Sequence, residues 1–159
     1  MNKKNNLKSL LGQIPSGYFV VITKSFDKKR VNWFMASWIQ QASFNPPMVS
    51  LCLKPQRPGV DEITEKEYFT INVLDKDLSS YFEKNCNKNK IDLLEDLETI
   101  DLGDKGIVLK NAKSYMVCKA QTITMPGDHY VVICEVLDGL MLNEEKEPSV
   151  HIRDSGAHY

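Results

Sequence analysis

The fold turns on Asn32-Trp33-Phe34-Met35-Ala36-Ser37-Trp38-Ile39-Gln40-Gln41-Ala42-Ser43-Phe44-Asn45-Pro46-Pro47. Aromatic and β-type side chains over 31–39 predict one strand, which small and polar residues then interrupt and the proline pair stops. A second strand, Met48–Leu53, begins at once. Proline cannot donate to a ladder, so Pro46 and Pro47 belong at a sheet edge or in the connection. Ala36, Ser37, Ala42 and Ser43 leave backbone groups uncovered beside large rings. A flat heteroaromatic ligand needs such a slot, with apolar walls and a few fixed donors and acceptors.

Outward from this stretch, strand patterns dominate. Residues 18–23 are nearly continuously apolar and predict a strand buried on both faces. Residues 68–74 alternate polar and apolar side chains. A long strand over 114–125 has a solvated face marked by Lys119, Gln121 and Thr122, and Met125-Pro126-Gly127-Asp128 breaks it. The run over 129–137 pairs back as a hairpin, Asp138-Gly139 turns the chain again, and 150–153 is a last short strand. Helices are expected over 58–66, with Pro58 in the first turn, over 77–84 from an Asp77 start, and over 92–100. Residues 84–90 read as a solvated loop. Many strands with short helical insertions indicate a mainly β, Greek-key-like barrel rather than βαβ units.

The 159 residues predict a single domain over 1–159, with 42% hydrophobic and 26% charged residues typical of a globular core. A formal net charge of −1 gives no electrostatic case for nucleic acid or an anionic membrane. No window has the apolar length of a spanning helix, and the basic N-terminus lacks the apolar run of a signal peptide. Cys52, Cys118 and Cys134 sit within apolar runs and Cys86 in a polar one, with no CxxC pair. Buried reduced thiols, rather than disulfides, and a cytoplasmic location are the reading.

Several chemistries lack their residues. No glycine fingerprint marks a dinucleotide fold or a phosphate loop. His129, His151 and His158 lack zinc spacing, and Ser155 lacks a strand-to-helix elbow. Lys54 and Arg57 flank a connection before the helix at Pro58. They form either an ordinary charged loop or a phosphate seat helped by helix N–H groups, with Arg57 the better grip. Gly127-Asp128-His129 reads as a hairpin turn. The end, from His151 through Arg153 to His158 and Tyr159, is either a frayed terminus or a polar, aromatic closure.

In order and spacing these segments resemble the flavin reductase-like, FMN-binding split-barrel family. They are most similar to the reductase-like module of flavodiiron proteins, whose segment reads Ala-Ser-Trp and continues Gln-Ala-Ser-Phe-Asn-Pro-Pro. The resemblance runs over about 14–159. It implies a split barrel, FMN as cofactor, NAD(P)H as electron donor and a homodimer with flavin near the subunit interface. It further implies that Met35, Ala36, Ser37, Trp38, Ser43, Asn45 and Pro46 lie along the flavin ring. Lys54 and Arg57 would meet the phosphate, Tyr159 would close over the cofactor, and His129 would face the nicotinamide as the catalytic residue. Met35 and Trp38 replace hydroxyl residues of the wider family, which removes donors and adds bulk. The expected activity is hydride transfer from NAD(P)H to flavin, with electrons passed to an acceptor such as a protein. The alternative is a non-enzymatic FMN electron carrier without a productive nicotinamide site.

Overall fold

Seven antiparallel strands form the main sheet, and its two edges are consecutive in the chain. A computed structural model describes residues 3–27, 29–85 and 90–156. In chain order the elements are α1 (Lys3–Gly12), β1 (Ser16–Gly17), β2 (Phe19–Lys24), β3 (Val31–Ala36), β4 (Ile39–Ser43), β5 (Met48–Leu53), α2 (Val60–Thr64), β6 (Phe69–Val73), α3 (Lys76–Asn85), α4 (Lys90–Glu95), β7 (Thr99–Asp101), a 3₁₀ turn (Gly103–Lys105), β8 (Ile107–Leu109), β9 (Ser114–Thr124), β10 (Tyr130–Met141) and β11 (Val150–His151). The main sheet runs β3-β2-β6-β9-β10-β5-β4, with small ladders β1-β11 and β7-β8 beside it.

The edge strands β3 and β4 are joined by Ser37 and Trp38 alone. A flat seven-stranded sheet would hold its edges about 29 Å apart, six steps of about 4.8 Å. Three Cα steps of about 3.8 Å span at most about 11 Å. The sheet therefore curls on itself at this corner. Among the described residues β3 and β4 do not pair, so the curled sheet stays open along this seam. The expected single strand over 31–39 is thus two strands. Ala36 still pairs with Phe19 of β2, whereas Ile39 pairs with Leu51 of β5.

Side-chain alternation sorts the core. Val21, Phe34, Ala36, Ile39, Leu51 and Ile71 point into the barrel together with Cys118 and Cys134. Val20, Ile22 and Trp33, the alternate residues of β2 and β3, point outward under Leu78, Phe82 and Leu93 of α3 and α4. Both faces of β2 are covered, as its apolar run predicts. Burial holds both core thiols high, Cys134 at about 12, so they stay protonated and inert.

Some sequence expectations are corrected. Asp138-Gly139 is no turn, because β10 continues to Met141 with a bulge between Val136 and Asp138. Gly139 is needed for close strand approach: a Cβ there would lie 2.6 Å from the Tyr115 carbonyl oxygen. The helix over 58–66 contracts to Val60–Thr64, preceded by Gly59 at φ 84, where a Cβ would also strike the Thr23 hydroxyl. Helix α3 starts from Asp75, whose Oδ1 accepts the Leu78 N–H at 2.9 Å, rather than from Asp77. The helix over 92–100 gives way to β7 at Thr99, and α1 was not foreseen. The loop expected over 84–90 falls partly on residues 86–89, and these, with Cys86, His158 and Tyr159, lie outside the described residues.

Candidate functional site

Residues 35–38 separate four side chains into different surroundings. Met35 packs outward against the helical cluster, while Ala36 faces the barrel interior. Ser37 leaves the β3 ladder; its side chain is 93% buried, and its hydroxyl has no hydrogen-bond partner among the described residues. Leaving such a group unpaired costs about 1–3 kcal/mol, so the position is set by the corner rather than by its own bonding. Trp38 is fixed through its carbonyl oxygen, which accepts the Cys52 N–H at 3.0 Å, and its ring is half-buried.

His129 reaches the same corner from the β9–β10 connection. Its ring centroid lies 4.9 Å from that of Trp38 at 41°. Its Nδ1 is 2.7 Å from Asp128 Oδ1, with the imidazole 13% exposed and the carboxylate largely in solvent. This pairing is what holds the Asp128 carboxyl below the usual carboxylate range, and the Lys54 charge adds to it. The antiparallel register explains why Lys54 is close: Leu53 pairs with Tyr130, so the next residue of one strand faces the one before the other. Arg57 belongs to the same connection, its N–H donating to the Lys54 carbonyl oxygen at 3.1 Å. Because α2 begins only at Val60 and has five residues, its dipole adds little to any phosphate seat here.

Arg153 closes the corner from the other terminus. Its guanidinium carbon lies 5.0 Å from the Trp38 ring centroid, and the residue is 91% buried. The sequence placed Arg153 in a polar tail without assigning it a role. A contact between residues 38 and 153 has no local signal. Asp128 was likewise passed over as the partner of His129, although adjacency in sequence pointed to it.

Ser43, Asn45 and Pro46 sit at the opposite end of the β4–β5 hairpin. Ser43 pairs with Met48, and Asn45 and Pro46 form the turn between the strands. Five residue steps along β5 separate this end from Leu53, about 17 Å. Here Ser43 lines a cleft of about 470 Å³ floored by Phe19, Met48, Met116 and Val136. The cleft begins at Ile39, the residue after Trp38, but includes neither Trp38 nor His129. The structure thus brings Ser37, Trp38, Lys54 and His129 together, places Arg57 on the adjoining connection, and sets Ser43, Asn45 and Pro46 apart. Tyr159 lies outside the described residues.

The donor set suits a planar anionic ligand: a buried hydroxyl at Ser37 without a hydrogen-bond partner among the described residues, cations at Lys54, Arg57 and Arg153, and a neighbouring apolar cleft. A family model described as "Flavin reductase like domain" matches residues 11–157. The chain is 31% identical over 159 residues to diflavin flavoprotein A 6 of Nostoc sp. (strain PCC 7120), covering 97% of this chain and 27% of that protein. It therefore spans about a quarter of the length of the curated relatives it matches. Among solved structures it resembles the NADH:FAD oxidoreductase of Streptomyces globisporus C-1027, with a TM-score of 0.79 at 17% identity, covering 96% of this chain and 86% of that one. Flavin reductase HpaC complexed with NADP+ gives 0.78 at 23% identity, covering 94% and 93%.

Proposed function

This chain belongs to the flavin reductase-like domain family, and from that premise we propose that it is an oxidoreductase transferring a hydride from NAD(P)H to FMN and passing electrons to an acceptor. The observation that carries the reading is the Trp38 corner, where the indole lies against the His129 imidazole and the Arg153 guanidinium, with Lys54 near the Asp128 that pairs with His129. Bound flavin supplies the redox chemistry. The chain's residues orient and charge the site. Ala36, Ser37 and Trp38 would border the ring, Lys54 and Arg57 would hold the phosphate, and His129, oriented by Asp128, would position the nicotinamide. Ser43, Asn45 and Pro46 would meet only the far end of such a ligand, and Met35 supports the strand from outside.

The whole reading is of one domain over 1–159 working as a homodimer, with a protein as electron acceptor. A cytoplasmic setting is favoured by Cys52, Cys118 and Cys134, all free thiols. Among the described residues no helix is long and apolar enough to cross a membrane.

One observation favours a second reading. The Trp38 indole already lies against His129. If it stays there, it blocks nicotinamide docking, and the protein is an FMN electron carrier fed by another protein. Steady-state oxidation of NADH and NADPH with added FMN separates the two. Turnover supports the reductase, whereas tight FMN reducible only by dithionite supports the carrier. Release of FAD alone, or no flavin binding, contradicts both.

A further inference from the structure

Arg153 is a buried cation without an ion-pair partner among the described residues. A guanidinium stays charged at any ordinary pH, and removing one from water is costly unless an anion meets it. Among the described residues no carboxylate forms an ion pair with it. The Trp38 face 5.0 Å away compensates only part of the loss. His151, two residues earlier, offers no negative charge: burial and the Arg153 charge favour its neutral form against the opposing pull of Glu83, whose carboxylate accepts from the Tyr18 hydroxyl and forms no ion pair with Arg153.

The backbone fixes where this cation sits. The Arg153 N–H donates to the Gly12 carbonyl oxygen at 3.0 Å, and the Gly156 N–H donates to that of Lys8 at 2.6 Å. The tail is thus tied to α1 on one side and, through the β1–β11 ladder, to Ser16 and Gly17 on the other. The guanidinium is held over the Trp38 ring, whose imidazole neighbour is His129. A fixed fork of donors held in place without a carboxylate partner is a ready-made anion seat.

We infer that Arg153 receives an anionic group of the bound flavin, which rests on the flavin reading above. That group is either the phosphate or the negatively charged reduced ring, and both would supply the missing counter-charge. Arg153 is then a binding residue contributed by the C-terminal tail, in addition to Lys54 and Arg57.

The test measures anaerobic affinities of the full chain and of Arg153→Gln for FMN and riboflavin, each oxidised and dithionite-reduced. The expected loss is about ten- to a hundredfold, the range for one charge-assisted hydrogen bond. A loss with FMN in both oxidation states but not with riboflavin assigns the phosphate. A loss with both reduced flavins but neither oxidised one assigns the reduced ring. Either pattern supports the inference. No loss, or an equal loss for all four forms, overturns it and makes Arg153 a packing residue. If Arg153→Gln does not fold, Arg153→Lys keeps the charge but not the fork, and the same selective pattern is expected with a smaller loss. Wild-type protein that binds no flavin overturns the functional reading itself, whereas binding with an indifferent variant overturns only the role of Arg153.

Discussion

The Ser37–Trp38 corner and the cleft along β4 share one strand yet differ in chemistry. The corner gathers Lys54, Asp128, His129 and Arg153 from distant segments around one indole. The cleft is walled by Phe19, Met48, Met116 and Val136, without an ionisable group. The cleft offers volume and apolar walls. In the proposed reading, charge and the paired imidazole would draw the polar and reacting parts of a ligand to the corner. The two surfaces adjoin at Ile39, the first residue of β4 and the one after Trp38.

The sharpest way to break this division is His129→Ala. Its interactions would develop only when nicotinamide docks, so turnover with NAD(P)H should fall about ten- to a thousandfold while FMN affinity holds. Stopped-flow flavin reduction and a binding titration check the two halves. Unchanged turnover would make His129 a turn residue. Next in size is Arg57→Ala. A lost phosphate contact should weaken FMN by about 1.5–3 kcal/mol and leave riboflavin nearly indifferent. Calorimetry with both ligands decides, and equal losses would mean that Arg57 acts through folding.

The fold was more legible than the site, for physical reasons. Strands β2, β5, β6 and β9 announce themselves because burial demands apolar runs or alternation. Strand β4 does not: Gln40, Gln41 and Ala42 are exposed on an edge, and only the ladder to β5 makes them a strand. Gly139 imitates a turn residue because close strand approach and tight turns ask for the same missing Cβ. At the candidate site, local motifs mark Ser37, Trp38, Lys54 and His129, and the structure sets Trp38 against His129 with Lys54 near its partner Asp128. The contact of Arg153 with Trp38 has no signal in the sequence, because the two lie far apart along the chain.

The cleft yields a smaller effect. Met48 is half-buried, so Met48→Ala should cost stability about 1 kcal/mol, below the range for a fully enclosed side chain. Flavin titration should barely change, and thermal unfolding reads the cost. A large loss of flavin affinity would move the ring's binding energy from the corner to the cleft.

The smallest effect concerns the tail beside the corner. Burial first, and then the Arg153 charge, lower the His151 pKa below its ordinary 6.5. Between that lowered value and 6.5 the unfolded chain binds a proton that the folded one refuses, so stability rises with pH there. Acidification through about pH 6.5 should therefore destabilise the protein, and His151→Gln should flatten this part of the profile in denaturant titrations. An unchanged slope would show that the tail is not packed as described.

The most direct test mixes purified, FMN-loaded protein with NADH or NADPH under anaerobic conditions and follows flavin absorbance. The reductase account predicts bleaching of bound flavin with at least one nucleotide, and slower bleaching in His129→Ala. Flavin that binds but bleaches only with dithionite would contradict hydride transfer at this corner.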